Sequence, residues 1–129
     1  MTPQHLVLSS PDCYKKIGTY AQMNPPIRGN KHRAYLRKTL NEGKIDVIGS
    51  DHAPHLKSEK NKSYPNSPSG MPGVQTLLPI LLNEVSKKMI SIMDVVKMTS
   101  FNPRKIFKIK NKGLITVSYT HLRAHETSH

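Results

Sequence analysis

Between Ile45 and His55 the chain reads IDVIGSDHAPH, an apolar run that stops at a carboxylate, Asp51, followed by His52, Pro54 and His55. A carboxylate at the mouth of a buried strand can bind a hard or borderline metal ion. It can also carry a proton, because a bound metal lowers the pKa of the water beside it. Histidine at 52 or 55 could be a ligand, a proton shuttle or a donor to an anion, and Pro54 stiffens the turn between them. A metal centre needs three or more protein ligands. Outside the C-terminal tail the histidines are His5, His32, His52 and His55, with no His-x-His pair among them. Taken alone, then, the Asp-His pair is more simply read as a surface turn closed by a local hydrogen bond.

The elements that would position these groups follow from pattern. Residues 31–42, KHRAYLRKTLNE, place Ala34, Tyr35 and Leu36 near Leu40, and Gly43 stands where a helix cap is expected. Residues 45–50, IDVIGS, read as a buried strand, since the run is short, β-branched and follows a glycine stop. A long loop rich in Pro, Ser and Gly comes next, and long loops inside compact domains are more often functional than decorative. Residues 73–88 return to helical spacing, with Val74, Leu77, Leu78, Leu81, Leu82 and Val85 on one side. Ser91 reads as the N-cap of a further helix, with Asp94 completing a capping box, and Pro103 suits a first helical position. After a turn, KIKNKGLI heads toward another strand. Alternation of this kind favours an α/β fold with parallel strands, in which functional groups gather at the C-terminal ends of strands, where Asp51 lies.

Composition narrows the classes. Against 20 Lys+Arg stand 8 Asp+Glu, for a formal charge of +12 in 129 residues. That balance raises the question of a nucleic-acid partner. The lysines are scattered, however, no Arg-rich run is interleaved with aromatics, and no nucleic acid is expected to bind. One cysteine, Cys13, rules out an intramolecular disulfide and a Cys-based zinc cage and fits a reducing cytoplasm. The longest apolar stretch, VQTLLPILL, is too short to span a bilayer, so no membrane partner is expected.

The tail departs from all this. Residues 117–127, VSYTHLRAHET, lack apolar periodicity and resemble the one-frame translation of a transposon-end adaptor used in sequencing-library preparation. On that reading residues 117–129 are a non-native tail, the native frame ends near Thr116, and His121, His125 and His129 carry no function.

Several segments considered together change the reading of the motif. TPQHLVLS, MNPPIR, GSDHAPH and SPSGMPGVQTLLPILL, then TSFNPRKIF and NKGLI, occur in an order and spacing that resembles the C-terminal third of dihydroorotase, a cyclic amidohydrolase of pyrimidine biosynthesis. The resemblance covers nearly all of residues 2–115 and implies a metal-dependent (β/α)8 TIM barrel flanked by a small β-domain. Residues 1–112 would form about strands seven and eight with their helices, with residues 45–50 as strand eight, and residues 113–116 would begin the β-domain. Asp51 resembles the family's metal-binding aspartate and general acid/base, His55 the histidine that holds the substrate carboxylate, and Asn24 the asparagine that contacts the pyrimidine ring. Ser69 and Gly70 fall where the loop backbone meets that ring. His52 belongs to the signature in a supporting role. Gln4 replaces the first histidine of the family's PHHL stretch, and Ser69 replaces a bulkier residue.

The resemblance implies one or two zinc ions whose other ligands lie upstream, and a small-molecule substrate, dihydroorotate or N-carbamoyl-aspartate. It also allows a homodimeric parent. The chain is therefore expected to be a piece of a larger enzyme, inactive and a weak zinc binder by itself. Allantoinase- or hydantoinase-type amidohydrolases are the alternative, though they usually lack a histidine at the place of His55. A non-catalytic dihydroorotase-like scaffold is the reading from another class.

Overall fold

The computed structural model describes residues 1–116; the reading of residues 117–129 as a non-native tail lies outside the described residues. Helices dominate: α1 (Gln4–Val7), α2 (Asp12–Ile17), α3 (Asn30–Asn41), α4 (Lys57–Lys60), α5 (Val74–Ser86), α6 (Ile92–Val96) and α7 (Asn102–Ile106). A 3-10 turn, Gly18–Ala21, follows α2, and a π turn, Lys97–Phe101, joins α6 to α7.

The helix ends obey local chemistry. After α3 the chain turns at Gly43, φ +66°, with Lys44 N–H on Thr39 O at 3.1 Å and Gly43 N–H on Leu40 O at 3.0 Å. This is the paired capping pattern that a left-handed residue makes possible. At α6 the expected capping box forms: Ser91 Oγ accepts from Asp94 N–H at 3.1 Å, and Asp94 Oδ2 accepts from Ser91 N–H at 2.9 Å. Pro103 sits in the first turn of α7. Proline has no N–H to give the carbonyl one turn back, and the wider π turn ahead of it carries the chain from α6 into α7 without a break. The expected restart is thus a continuation.

Helix α5 runs through Pro79 and splits its apolar residues into two stripes. Leu77, Leu81 and Val85, spaced by four, face inward, with Leu81 fully buried, whereas Val74, Leu78 and Leu82 face out. The inward stripe joins Leu6, Leu40, Ile48, Ile90, Val95 and Met98 in the main core. A smaller cluster, Cys13, Ala21, Met23 and Ile27, lies under the residues leading to Asn24. Glu84, fully buried beside Leu81, is held by both terminal nitrogens of Arg37 and by Lys87 Nζ at 3.3 Å, which ties α3 to α5.

The strand expected at residues 45–50 does not form, and no strand occurs among the described residues. The segment is extended and buries Ile48, as a strand would, yet a strand exists only through a ladder. Its backbone groups find other partners. Ile48 N–H bonds Met98 O at 3.2 Å, Asn102 Nδ2 donates to Asp46 O at 2.8 Å, and Gln4 Nε2 donates to Ser50 O at 2.9 Å. Only Met1 pairs in strand fashion: its amino group donates to Val47 O and its carbonyl accepts from Gly49 N–H, both at 3.0 Å. That is one residue of a parallel ladder. The strand expected over residues 113–116 is likewise absent; Gly113 turns at φ +82° against Arg104. Among the described residues no helix is long and apolar enough to cross a membrane.

Candidate functional site

The chain reverses at the end of the extended segment. Asp51 takes φ +47°, a left-handed conformation uncommon outside glycine but tolerated by aspartate. Its exposed carboxylate has no hydrogen-bond or salt-bridge partner among the described residues. The backbone ahead of it is clamped. Ser50 O takes the Gln4 Nε2 bond, and Gly73 lies so close that an added Cβ would stand 2.1 Å from Ser50 O and 2.6 Å from Gln4 Nε2. Position 73 therefore excludes every side chain.

His52 ties this turn to α5. Its Nδ1 accepts N–H from Gly73 at 3.1 Å and from Val74 at 3.3 Å. These donors belong to the first turn of the helix, where N–H groups have no partner inside it. An Nδ1 that accepts carries no proton, so the proton of His52 is on Nε2. His52 thereby caps the N-terminus of α5.

His55 faces the loop. Its Nε2 lies 3.1 Å from Ser69 O and donates there, while Nδ1 lies 3.9 Å from Glu59 Oε2, which itself accepts Leu56 N–H at 2.9 Å. Gly70, φ +148°, packs between Ala53 and His55: a Cβ would meet Ala53 O at 2.6 Å and His55 Nε2 at 2.8 Å. Ala53 N–H bonds Met71 O at 3.0 Å, and His52 forms a parallel bridge with Met71. Residues 52–55 and 69–71 thus run side by side.

A cleft of about 720 Å³ is lined by Asn24 and Ser69 together with Tyr14, Thr19, Gln22 and Tyr64. Of the candidate residues, then, Asn24 and Ser69 line the same cleft, and His55 meets Ser69 and Gly70. Asp51 stands on the same motif but touches none of them. No three His, Cys, Asp or Glu side chains gather anywhere among the described residues. The residues present do not by themselves make a metal site.

Three residues beyond the candidates shape the site. Gln4 is buried, with Oε1 unpaired. Gln22 Nε2 donates to Ser67 O at 2.9 Å and to Ser69 Oγ at 3.3 Å. Lys60, 4% exposed, donates to Pro68 O at 2.8 Å and Gln22 O at 3.2 Å, and burial pushes its pKa down. A glutamine or lysine in a polar stretch gives no periodic signal. Their role depends on which loops meet.

A model of the amidohydrolase family matches residues 4–120. The chain is 43% identical over 121 residues to a dihydroorotase of Methanosarcina mazei and 38% identical over 115 residues to one of Clostridioides difficile. These matches cover 92% and 88% of this chain. The chain spans about a quarter of each relative's length, 26% and 27%. Among solved structures it resembles an L-hydantoinase (dihydropyrimidinase) from Arthrobacter aurescens, with a TM-score of 0.83 and 32% identity over 90% of this chain and 27% of that one. A dihydropyrimidinase from Brevibacillus agri gives 0.76 and 29%, again over 90% and 27%.

Proposed function

The chain belongs to the amidohydrolase family, and from that premise we propose that it is a segment of a cytoplasmic dihydroorotase, the enzyme that hydrolyses the cyclic amide of dihydroorotate to N-carbamoyl-aspartate and reverses that reaction. In this reading residues 1–112 form about the last two strand-helix units of a (β/α)8 barrel, and residues 113–116 lead into a flanking β-domain. The one-residue parallel ladder between Met1 and Val47 to Gly49 supports neighbouring strands at these positions.

The observation that carries the substrate assignment is His55 on the loop that also bears Ser69 and Gly70. Its Nε2–H is held by Ser69 O and its Nδ1 stands 3.9 Å from Glu59 Oε2, so a substrate carboxylate would displace one of these partners to meet the ring. A substrate with a ring to meet Asn24 and the Ser69–Gly70 backbone, and a carboxylate to meet His55, suits that layout. Dihydroorotate has both; hydantoins and dihydropyrimidines without a carboxylate lack the second.

Asp51 is the proton carrier. As water adds to the ring amide carbon, forming the C–O bond, the carboxylate takes a proton, and it returns that proton to the ring nitrogen as the C–N bond breaks. Its exposed, unpartnered position fits a group that must exchange protons with a substrate. In the whole enzyme zinc would take one ligand, Asp51, from this chain. Turnover assays of the complete enzyme containing this segment test the reading. Dihydroorotate is expected to turn over at least 100-fold faster, in kcat/KM, than dihydrouracil or hydantoin, and His55→Ala is expected to erase most of that preference. Equal rates on all three would overturn it.

A further inference from the structure

A charged lysine buried without a carboxylate is unusual, because an ammonium loses its hydration and gains only neutral partners. Lys60 is such a group: 4% exposed, in no ion pair among the described residues, and donating only to the carbonyls of Pro68 and Gln22. Those two carbonyls belong to the two segments that reach the cleft through Gln22 and Asn24 and through Ser69. Gln22 leads through Met23 to Asn24, and Pro68 leads to Ser69 and Gly70.

We propose that Lys60 is a positioning residue that holds the two substrate-facing walls of the cleft, Gln22–Asn24 and Pro68–Gly70, at a fixed separation. The inference rests on the dihydroorotase reading and deepens it, since Lys60 itself touches no reacting atom.

The surrounding bonds show the lysine at the centre of a knot. Gln22 O receives Gly70 N–H at 2.9 Å as well as Lys60 Nζ, so one carbonyl aligns both the ammonium and the backbone of the candidate ring contact. The Lys60 backbone is held in turn: its carbonyl accepts from Thr19 Oγ1, and Ser67 Oγ donates to it at 3.4 Å. Next to it, Tyr20 OH donates to Asn61 Oδ1 at 2.8 Å. Segments 19–22, 60–61 and 67–70 therefore meet at Lys60, through its side chain and its backbone carbonyl, and at Asn61 beside it, with no sheet among the described residues to hold them. A methylene stem of the same length could fill the space, but it would leave Pro68 O unpaired and would leave the two walls joined only by Gly70 N–H on Gln22 O and by Gln22 Nε2 on Ser67 O and Ser69 Oγ.

Two readouts test the proposal, and the first does not depend on activity. In the 129-residue chain, lysine acetylation followed by peptide mass spectrometry should label Lys60 at least tenfold more slowly than its exposed neighbours Lys57 and Lys62; equal rates would overturn the buried tether. In the complete enzyme containing this segment, Lys60→Met should raise KM for dihydroorotate about tenfold while kcat changes less than threefold. An unchanged KM, or a loss confined to kcat, would refute the positioning role. If Lys60→Met does not fold, the labelling result on the unsubstituted chain decides. An unsubstituted enzyme with no turnover of dihydroorotate would sink the dihydroorotase reading and leave labelling to judge Lys60.

Discussion

The two halves of the molecule are held together by different means. Around the cleft, residues 50–73 are fixed by single polar contacts: Gln4 on Ser50, His52 on Gly73 and Val74, His55 on Ser69, and Lys60 on Pro68 and Gln22. The helical half, residues 74–106, is fixed by burial, with Leu81, Ile90, Val95 and Met98 packed on Leu6, Leu40 and Ile48. The polar half keeps candidate chemical groups exposed and aimed. The apolar half holds the scaffold, yet it leaves Val74, Leu78, Leu82, Ile92, Met93 and Val96 outside the core. Exposed apolar side chains in that number promote association. The lesson is one of tolerance: packing loses stability by degrees, whereas a loop tied by single hydrogen bonds loses its geometry when one donor goes.

Substitutions can break this contrast in order of size. Leu81→Ala, at a fully buried position, should cost about 4 kcal/mol, read as a shifted urea midpoint, with the loop hydrogen bonds persisting until the whole chain unfolds. His52→Ala should cost about 1 kcal/mol, the usual size of a lost helix cap. Its effect should be local: hydrogen exchange should accelerate at the Gly73 and Val74 amides and leave Leu81 protected. Uniform acceleration across both halves would erase the distinction. The smallest effect lies at Asp94. Hydrogen bonds from the Ser91 side chain and backbone, then the charge of Lys97, hold its carboxyl below the usual range of about 3.8. A group with a lowered folded-state pKa stabilises the fold above its unfolded value and loses that contribution as pH falls through the folded one. Stability should therefore drop as pH is taken below 3.8, and Ser91→Ala should flatten that part of the profile.

The same contrast explains how far the sequence could be read. Helix α3 and its Gly43 cap, the Ser91–Asp94 capping box and Pro103 in the first turn of α7 were legible because each depends on residues within one or two turns. Residues 45–50 carry a strand pattern and bury Ile48 accordingly, but a ladder needs a partner that local pattern cannot supply. The two stripes of α5 read as one face in the sequence for a related reason: spacing marks apolar residues, and only the neighbours decide which are covered. In the site, the Asp51–His55 motif stands out by residue type. Gln22 and Lys60 do not, since a lysine in a polar loop reads as solvated until Pro68 and Gln22 are seen to enclose it.

Everything proposed for the site turns on Asp51 moving the proton in hydrolysis of a cyclic amide. The most direct test is the kcat of Asp51→Asn in the complete enzyme containing this segment, with dihydroorotate as substrate. The substitution keeps the size of the side chain and removes its capacity to take a proton. The expected result is a fall in kcat of roughly 10² to 10⁴, the range for losing a general acid/base. A kcat within threefold of the unsubstituted enzyme would contradict that role.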